Sequence, residues 1–221
     1  MQSIYFVDSN FTYESSKKSI LSIRYATDGF SFCVHDETGK LVVFVHEPYA
    51  ADSREAAVAR LKNYVVNDAI LNLRFKKVYI MPCFKEKLLV PGAFFDKANI
   101  TTLYTVNQEV SPDDTILYHH IEGIEAYLVE TVISSFHDFV REHFPVFQIV
   151  NGAYPFILGA MGKALRDTEQ IFLDIQDNYF DLLFIRDSGI QLFNTFSYKA
   201  TTDIVYFLLN CIKECGINQE K

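Results

Sequence analysis

The chain has 221 residues, 49% of them hydrophobic and 15% aromatic, enough to bury a substantial core without disulfides or a structural metal. A formal charge of −8 excludes nucleic acid as a main partner, because phosphate binding depends on Lys and Arg. No apolar run reaches the roughly 18 residues that span a bilayer, and MQSIYFVDSNF has no basic leader segment, so the expectation is a cytoplasmic protein without membrane insertion.

In chain order, Ile20–Tyr25 and Phe30–Val34 read as strands joined by Thr27-Asp28-Gly29, since Asp-Gly between apolar runs signals a hairpin. Glu37-Thr38-Gly39 turns the chain into a third strand, Leu41–His46. Asp52 and Glu55, in a D-x-x-E start, open a helix expected to run to about Asn72 on an apolar face of Ala57, Leu61, Tyr64, Val65 and Ala69. Lys77–Met81 is a short strand stopped by Pro82. Arg74, Lys76, Lys77, Lys85 and Lys87 form the one dense basic cluster and read as a solvated rim rather than a binding patch.

Turn signals at Pro91-Gly92 and at Ser111-Pro112-Asp113-Asp114 follow, then a strand at Thr115–His119. Glu130–His143 has helical spacing in Val132, Ile133, Phe136, Phe139 and Val140, with Pro145 ending the run. Phe147–Val150 reads as a strand, and Pro155 suits the first turn of a helix reaching about Leu165. Beyond it, Ile171–Ile175 and Phe180–Ile185 pair around Asp177-Asn178-Tyr179, and Ser188-Gly189 leads into Gln191–Phe196. Thr201 or Thr202 caps a helix from Asp203 to Cys215, with Ile204, Phe207, Leu208, Cys211, Ile212 and Cys215 on one stripe.

Ile20–Val65 and Ile171–Cys215 thus share one order: three strands, then a helix. The fold class expected is α/β with duplicated β-β-β-α(-β-α) halves, divided as a first half at 1–110 and a linking segment plus second half at 111–221. The first copy continues into a further strand and the second reaches Lys221 without one, so the second half is expected to be incomplete.

Two β-β-β-α-β-α units resemble the actin, hexokinase and Hsp70-chaperone superfamily, with its ribonuclease H-like architecture. LSIRYATDGFSF together with LFNTFSYKATTDIVYFLL also resembles an uncharacterised bacterial family with an actin-like ATPase fold. The resemblance implies a D-x-G hairpin in each half gripping nucleotide phosphates. Carried onto this sequence, the motif falls on Asp174-Ile175-Gln176 in the second copy, where the Asp survives and the Gly does not. In the first copy it falls on Ser22-Ile23-Arg24, where both are replaced. Glycine matters there because backbone must approach phosphate without an intervening Cβ.

Ser22, Arg24, Asp174 and Gln176 are therefore expected to be vestigial phosphate hairpins. No catalytic residue, no metal ligand and no cofactor is assigned. The resemblance implies a non-hydrolysing actin-like module acting as a protein-interaction scaffold, with a protein partner or a second copy of the chain. The alternative is an ATPase completed by sequence after Lys221. Asp174, Asp177 and Asp181 read as a hydrogen-bonded turn, with a weak Mg²⁺ site as the other possibility. Arg24 reads as a surface arginine, or as a partner of Asp174 in place of phosphate. His119 and His120 point to opposite faces of a strand and cannot easily share a metal. Cys83, just after a strand, sits where α/β enzymes hold nucleophiles but has no base nearby in sequence.

Overall fold

The computed structural model describes residues 2–166 and 168–217. Twelve strands form three sheets among these residues. The first sheet has the order β1-β4-β3-β2-β5-β9, from Ile4–Val7 (β1), Ile20–Ala26 (β2), Gly29–His35 (β3), Leu41–Pro48 (β4), Lys77–Pro82 (β5) and Phe147–Ile149 (β9). Strands β2, β3 and β4 are an antiparallel meander, whereas β5 and β9 join in parallel. The second sheet, β6-β8-β7, comprises Lys87–Pro91 (β6), Asp114–Ile121 (β7) and Ala126–Ile133 (β8). The third, β10-β11-β12, comprises Glu169–Ile175 (β10), Tyr179–Arg186 (β11) and Gly189–Ser197 (β12). Helices are Tyr13–Ser16 (α1), Arg54–Asn67 (α2), Ile100–Thr105 (α3), Ser134–His143 (α4), Ala153–Lys163 (α5) and Thr201–Glu214 (α6).

Alternation along β2 sends Leu21, Ile23 and Tyr25 into the main core. There they meet Val58, Leu61 and Val65 of α2 and Phe136 and Val140 of α4. Each such fully buried side chain stabilises the fold by about 1.5–3 kcal/mol relative to exposure. Helix α5 packs Ala153, Ile157 and Ala160 against Ile121 and Leu128 of the second sheet and Leu183 and Ile185 of the third. The opposite face of β11, with Phe180, Leu182 and Phe184, meets Cys211 of α6. Strand β11 is thus covered on both faces, which explains its nearly unbroken apolar run.

The hairpin turns fall where the glycines require. Gly29 has φ +149°, and a Cβ there would lie 2.7 Å from the Glu47 carbonyl oxygen. Asp187 and Ser188 both take positive φ (51° and 62°), giving a two-residue turn whose twist matches its strands.

Several expectations are corrected. Glu130–Ile133 is strand, not helix: Glu130 pairs with Lys87 on one side and Leu117 on the other, and the helix begins at Ser134. The helical spacing of Val132 and Ile133 gives way to tertiary pairing. Helix α2 is capped by Ser53, whose hydroxyl accepts the Ala56 N–H at 3.2 Å. It ends at Asn67 rather than Asn72, because the Asp68 carboxylate takes the Ile70 and Leu71 N–H groups and Asn72 donates to the last carbonyls. On α6 neither threonine caps. Asp203 accepts from the Lys199 and Ala200 N–H groups instead. Strand β1 carried no sequence expectation.

A division at 110/111 passes between β6 and its hydrogen-bonded partner β8. Residues Val132, Phe136, Val140 and Ile149, all after that division, belong to the main core of the first sheet. The two runs β2-β3-β4-α2 and β10-β11-β12-α6 share the order of three antiparallel strands and a 14-residue helix. No described helix is long and apolar enough to cross a membrane.

Candidate functional site between the hairpins

The outward face of β2 and the turn after β10 meet. Arg24 Nη2 donates to Gln176 Oε1 at 2.5 Å, and Gln176 Nε2 donates to Asp174 Oδ1 at 2.9 Å. The glutamine is itself fixed: its N–H donates to the Tyr179 carbonyl at 2.9 Å, and its carbonyl accepts the Tyr198 hydroxyl at 2.5 Å. Arg24 thus reaches Asp174 through Gln176, and its nearest carboxylate contact is Asp28 at 3.6 Å. Ser22 stays out of this chain of bonds. It lies opposite Cys33 and Tyr79, lining a cavity farther along the same sheet face.

A second, deeper cluster lies behind the first. Strand pairing places Asp174 directly opposite Asp181, so two acids face each other across the β10–β11 ladder. Like charges so placed repel, and Lys87 relieves the repulsion. Its ammonium lies 2.8 Å from Asp181 Oδ1, with side chains 2% and 3% exposed, and also donates to the Phe84 carbonyl at 3.1 Å. The Thr195 hydroxyl donates to the same Asp181 oxygen at 2.6 Å. Burial still outweighs these contacts and holds the Asp181 carboxyl above its ordinary pKa. The expected solvated rim therefore loses Lys87, which is drawn inside by Asp181.

Glu130, across the ladder from Lys87, is also buried. Its Oε2 accepts from Asn151 Nδ2 at 2.7 Å, and desolvation pushes its pKa up to about 8. Burial likewise pushes the Cys83 thiol up to about 11, so at neutral pH it is a protonated thiol and a poor nucleophile. Gly152 packs on it: a Cβ there would lie 2.3 Å from the Cys83 sulfur. Asp177 is exposed in its turn, apart from Asp174 and Asp181. Among the described residues no three His, Cys, Asp or Glu side chains are grouped to hold a metal ion.

The structure thus brings Arg24, Asp174 and Gln176 together and sets Ser22 apart, and it adds Lys87, Glu130, Asn151 and Thr195, none of which the sequence pattern marks as a site residue. Of these, Glu130 alone carried a signal: it is the one charge inside the apolar run Ala126–Ile133, a pattern that points to a buried partner once a strand is assigned.

Chemically, Arg24, Gln176 and Asp174 hydrogen-bond to one another, as do Lys87, Asp181 and Thr195 behind them, whereas Glu130 Oε1 and Asp28 Oδ1 find no hydrogen-bond partner among the described residues. Arg24 and Gln176 join the two hairpins by a side-chain hydrogen bond.

Comparison with solved structures finds the following likenesses. A Bacteroides thetaiotaomicron protein with actin-like ATPase fold and unknown function superposes with a TM-score of 0.87 at 24% identity, over 95% of this chain and 81% of that one. A PilM–PilN type IV pilus biogenesis complex matches at TM-score 0.48 and 13% identity, over 90% of this chain and 66% of that one. The ethanolamine utilization protein EutJ from Carboxydothermus hydrogenoformans gives 0.44 and 10%, over 97% and 61%. No curated protein matches the chain. The fold is the actin-like ATPase fold, and the profile described as "Protein of unknown function (DUF3822)" matches residues 8–221, so the chain belongs to that family.

Proposed function

We propose that this chain is a degenerate, non-hydrolysing actin-like module that serves as a protein-interaction scaffold. The observation that carries the reading is the bridge from Arg24 through Gln176 to Asp174, at 2.5 and 2.9 Å. In a working site of this architecture the two hairpins grip phosphate oxygens between them, and donors aimed at those oxygens supply the catalytic stabilisation. Here an Nη2 N–H of Arg24 is taken up by Gln176, and the Gln176 amide N–H by Asp174. A magnesium ion would find one half-buried carboxylate already hydrogen-bonded, which is a poor start for an ion that demands octahedral oxygen ligands.

The partner in this reading is a protein, including a second copy of the chain, rather than nucleic acid. Exposed apolar side chains on the free edge strand β1 and on α6 support it: Tyr5 is 67% exposed and Tyr206 66%. The test is calorimetric titration with Mg-ATP combined with a phosphate-release assay. The expected result is no saturable heat and background release, unchanged in Asp174→Asn. Saturable binding with turnover that depends on Asp174 would refute the scaffold reading and establish the ATPase.

A further inference from the structure

The cleft between the hairpins leaves one pair of buried groups unused. On the outward face of the first sheet a cavity of about 590 Å³ opens between β5, β7 and the start of α5. Tyr79 and Tyr154 wall it, and Lys77, His119, His120 and Glu122 are the charged and titratable residues along it. The Lys77 ammonium lies 4.4 Å from the centre of the Tyr79 ring. His119 is mostly buried, and its Nε2 turns inward to lie 3.9 Å from Glu130 Oε1. Neither of these two atoms finds a hydrogen-bond partner among the described residues, and both are sealed from solvent. Leaving a buried polar atom unsatisfied costs about 1–3 kcal/mol, so two side by side call for a physical role.

We propose that this cavity binds a small planar organic carboxylate, held by a His119 imidazolium that forms when Glu130 passes its proton to His119. The step balances within the pair: the O–H bond at Glu130 Oε1 breaks, an N–H bond forms at His119 Nε2, and a carboxylate remains. That carboxylate keeps the hydrogen bond from Asn151 and faces the Lys87 ammonium across the ladder. With Nε2 sealed inward, Nδ1 is the ring nitrogen available to the cavity, where it donates to the bound anion. The tyrosine walls suit a flat apolar body, and Lys77 adds a second positive charge against the single carboxylate of Glu122.

The protonation balance favours this exchange. Burial pushes Glu130 up to about 8 and His119 down, so near neutral pH the pair holds one proton, on Glu130. The ionisable groups that act on Glu130 from neighbouring elements are Lys87 on β6, Cys83 after β5, Tyr25 on β2 and Tyr104 on α3. Of these, only Lys87 is charged at neutral pH. An anion entering the cavity tips the proton to His119 without drawing one from solution.

The experiment is calorimetric titration of the chain with benzoate, and with neutral benzamide as its isostere, at pH 7 in two buffers of different ionisation enthalpy. Saturable benzoate binding, no benzamide binding and no net proton uptake are expected. In Glu130→Gln no internal proton is available, so benzoate binding takes up one proton from the buffer and weakens at least about tenfold, because a buried imidazole must be protonated with no carboxylate formed beside it. In His119→Gln, with the fold verified by circular dichroism, binding is lost. Equal binding of benzoate and benzamide, no saturable benzoate binding, or identical proton uptake in wild type and Glu130→Gln would overturn the proposal. The outcome with Mg-ATP does not bear on it.

Discussion

Replacing Lys87 with Met removes the buried cation at the junction of the second and third sheets and leaves Asp181 facing Asp174 with no positive partner. At 2.8 Å and an effective dielectric of about 20, the gross attraction lost is about 6 kcal/mol. Both side chains are nearly fully buried, so this attraction was offset by desolvation, and removal of one partner from such a pair costs about 3–5 kcal/mol. The loss should depend on pH. The folded-state pKa of Asp181 is already raised by burial, so the folded form holds its proton more tightly than the unfolded form. Such a group contributes most below its unfolded value of 3.8 and loses that contribution as pH rises through the folded value. Without Lys87 the folded value rises further. The variant should therefore lie close to wild type near pH 4 and fall behind by the full amount at pH 7. Urea denaturation at both pH values, with the m-value compared, measures this. A loss under about 1 kcal/mol at pH 7, or one equal at both pH values, would refute the buried-pair argument. The double variant Lys87→Met/Asp181→Leu should recover much of the stability, because it leaves no lone buried charge.

Glu130→Gln should flatten the pH dependence of stability. The wild-type carboxyl, raised from 4.5 to about 8, stabilises the fold while protonated and loses that contribution as pH rises from about 5 through 8. The amide should accordingly gain on wild type across that range in chemical denaturation. Gly29→Ala should cost about 2 kcal/mol or more by thermal or urea unfolding, since φ is +149° and the new Cβ would meet the Glu47 carbonyl at 2.7 Å. A cost below about 0.5 kcal/mol would show that the hairpin relaxes freely. Phe207 on α6 is only partly buried, stacked on Phe196 at 4.7 Å, so Phe207→Ala should cost about 1–3 kcal/mol, less than the 3–5 kcal/mol of a fully buried Phe such as Phe136.

The elements that the sequence revealed are those whose cause is local. The turn after Ala26, the alternation along Leu21, Ile23 and Tyr25, and the stripe through Ile204, Phe207 and Cys211 follow from backbone conformation and period, while the second hairpin turns at Asp187-Ser188, one residue before the expected Ser188-Gly189. They were enough to suggest the actin-like plan and to bring Arg24, Asp174 and Gln176 forward as candidates. Glu130–Ile133 failed because a helical spacing of apolar residues also fits a strand buried between two others, and only β6 and β7 on either side decide between them.

What the sequence determined by itself is which residue types stand on the two hairpins, Ser22 and Arg24 on one and Asp174 and Gln176 on the other, since no folding changes a residue type. Tertiary structure alone decided which of them meet. Arg24 and Gln176 are 152 positions apart, and Lys87 and Asp181 come from different sheets. The sequence around Lys87 carries no record of Asp181, because the energy that fixes the pair, desolvation set against a contact at 2.8 Å, exists only once both are buried together.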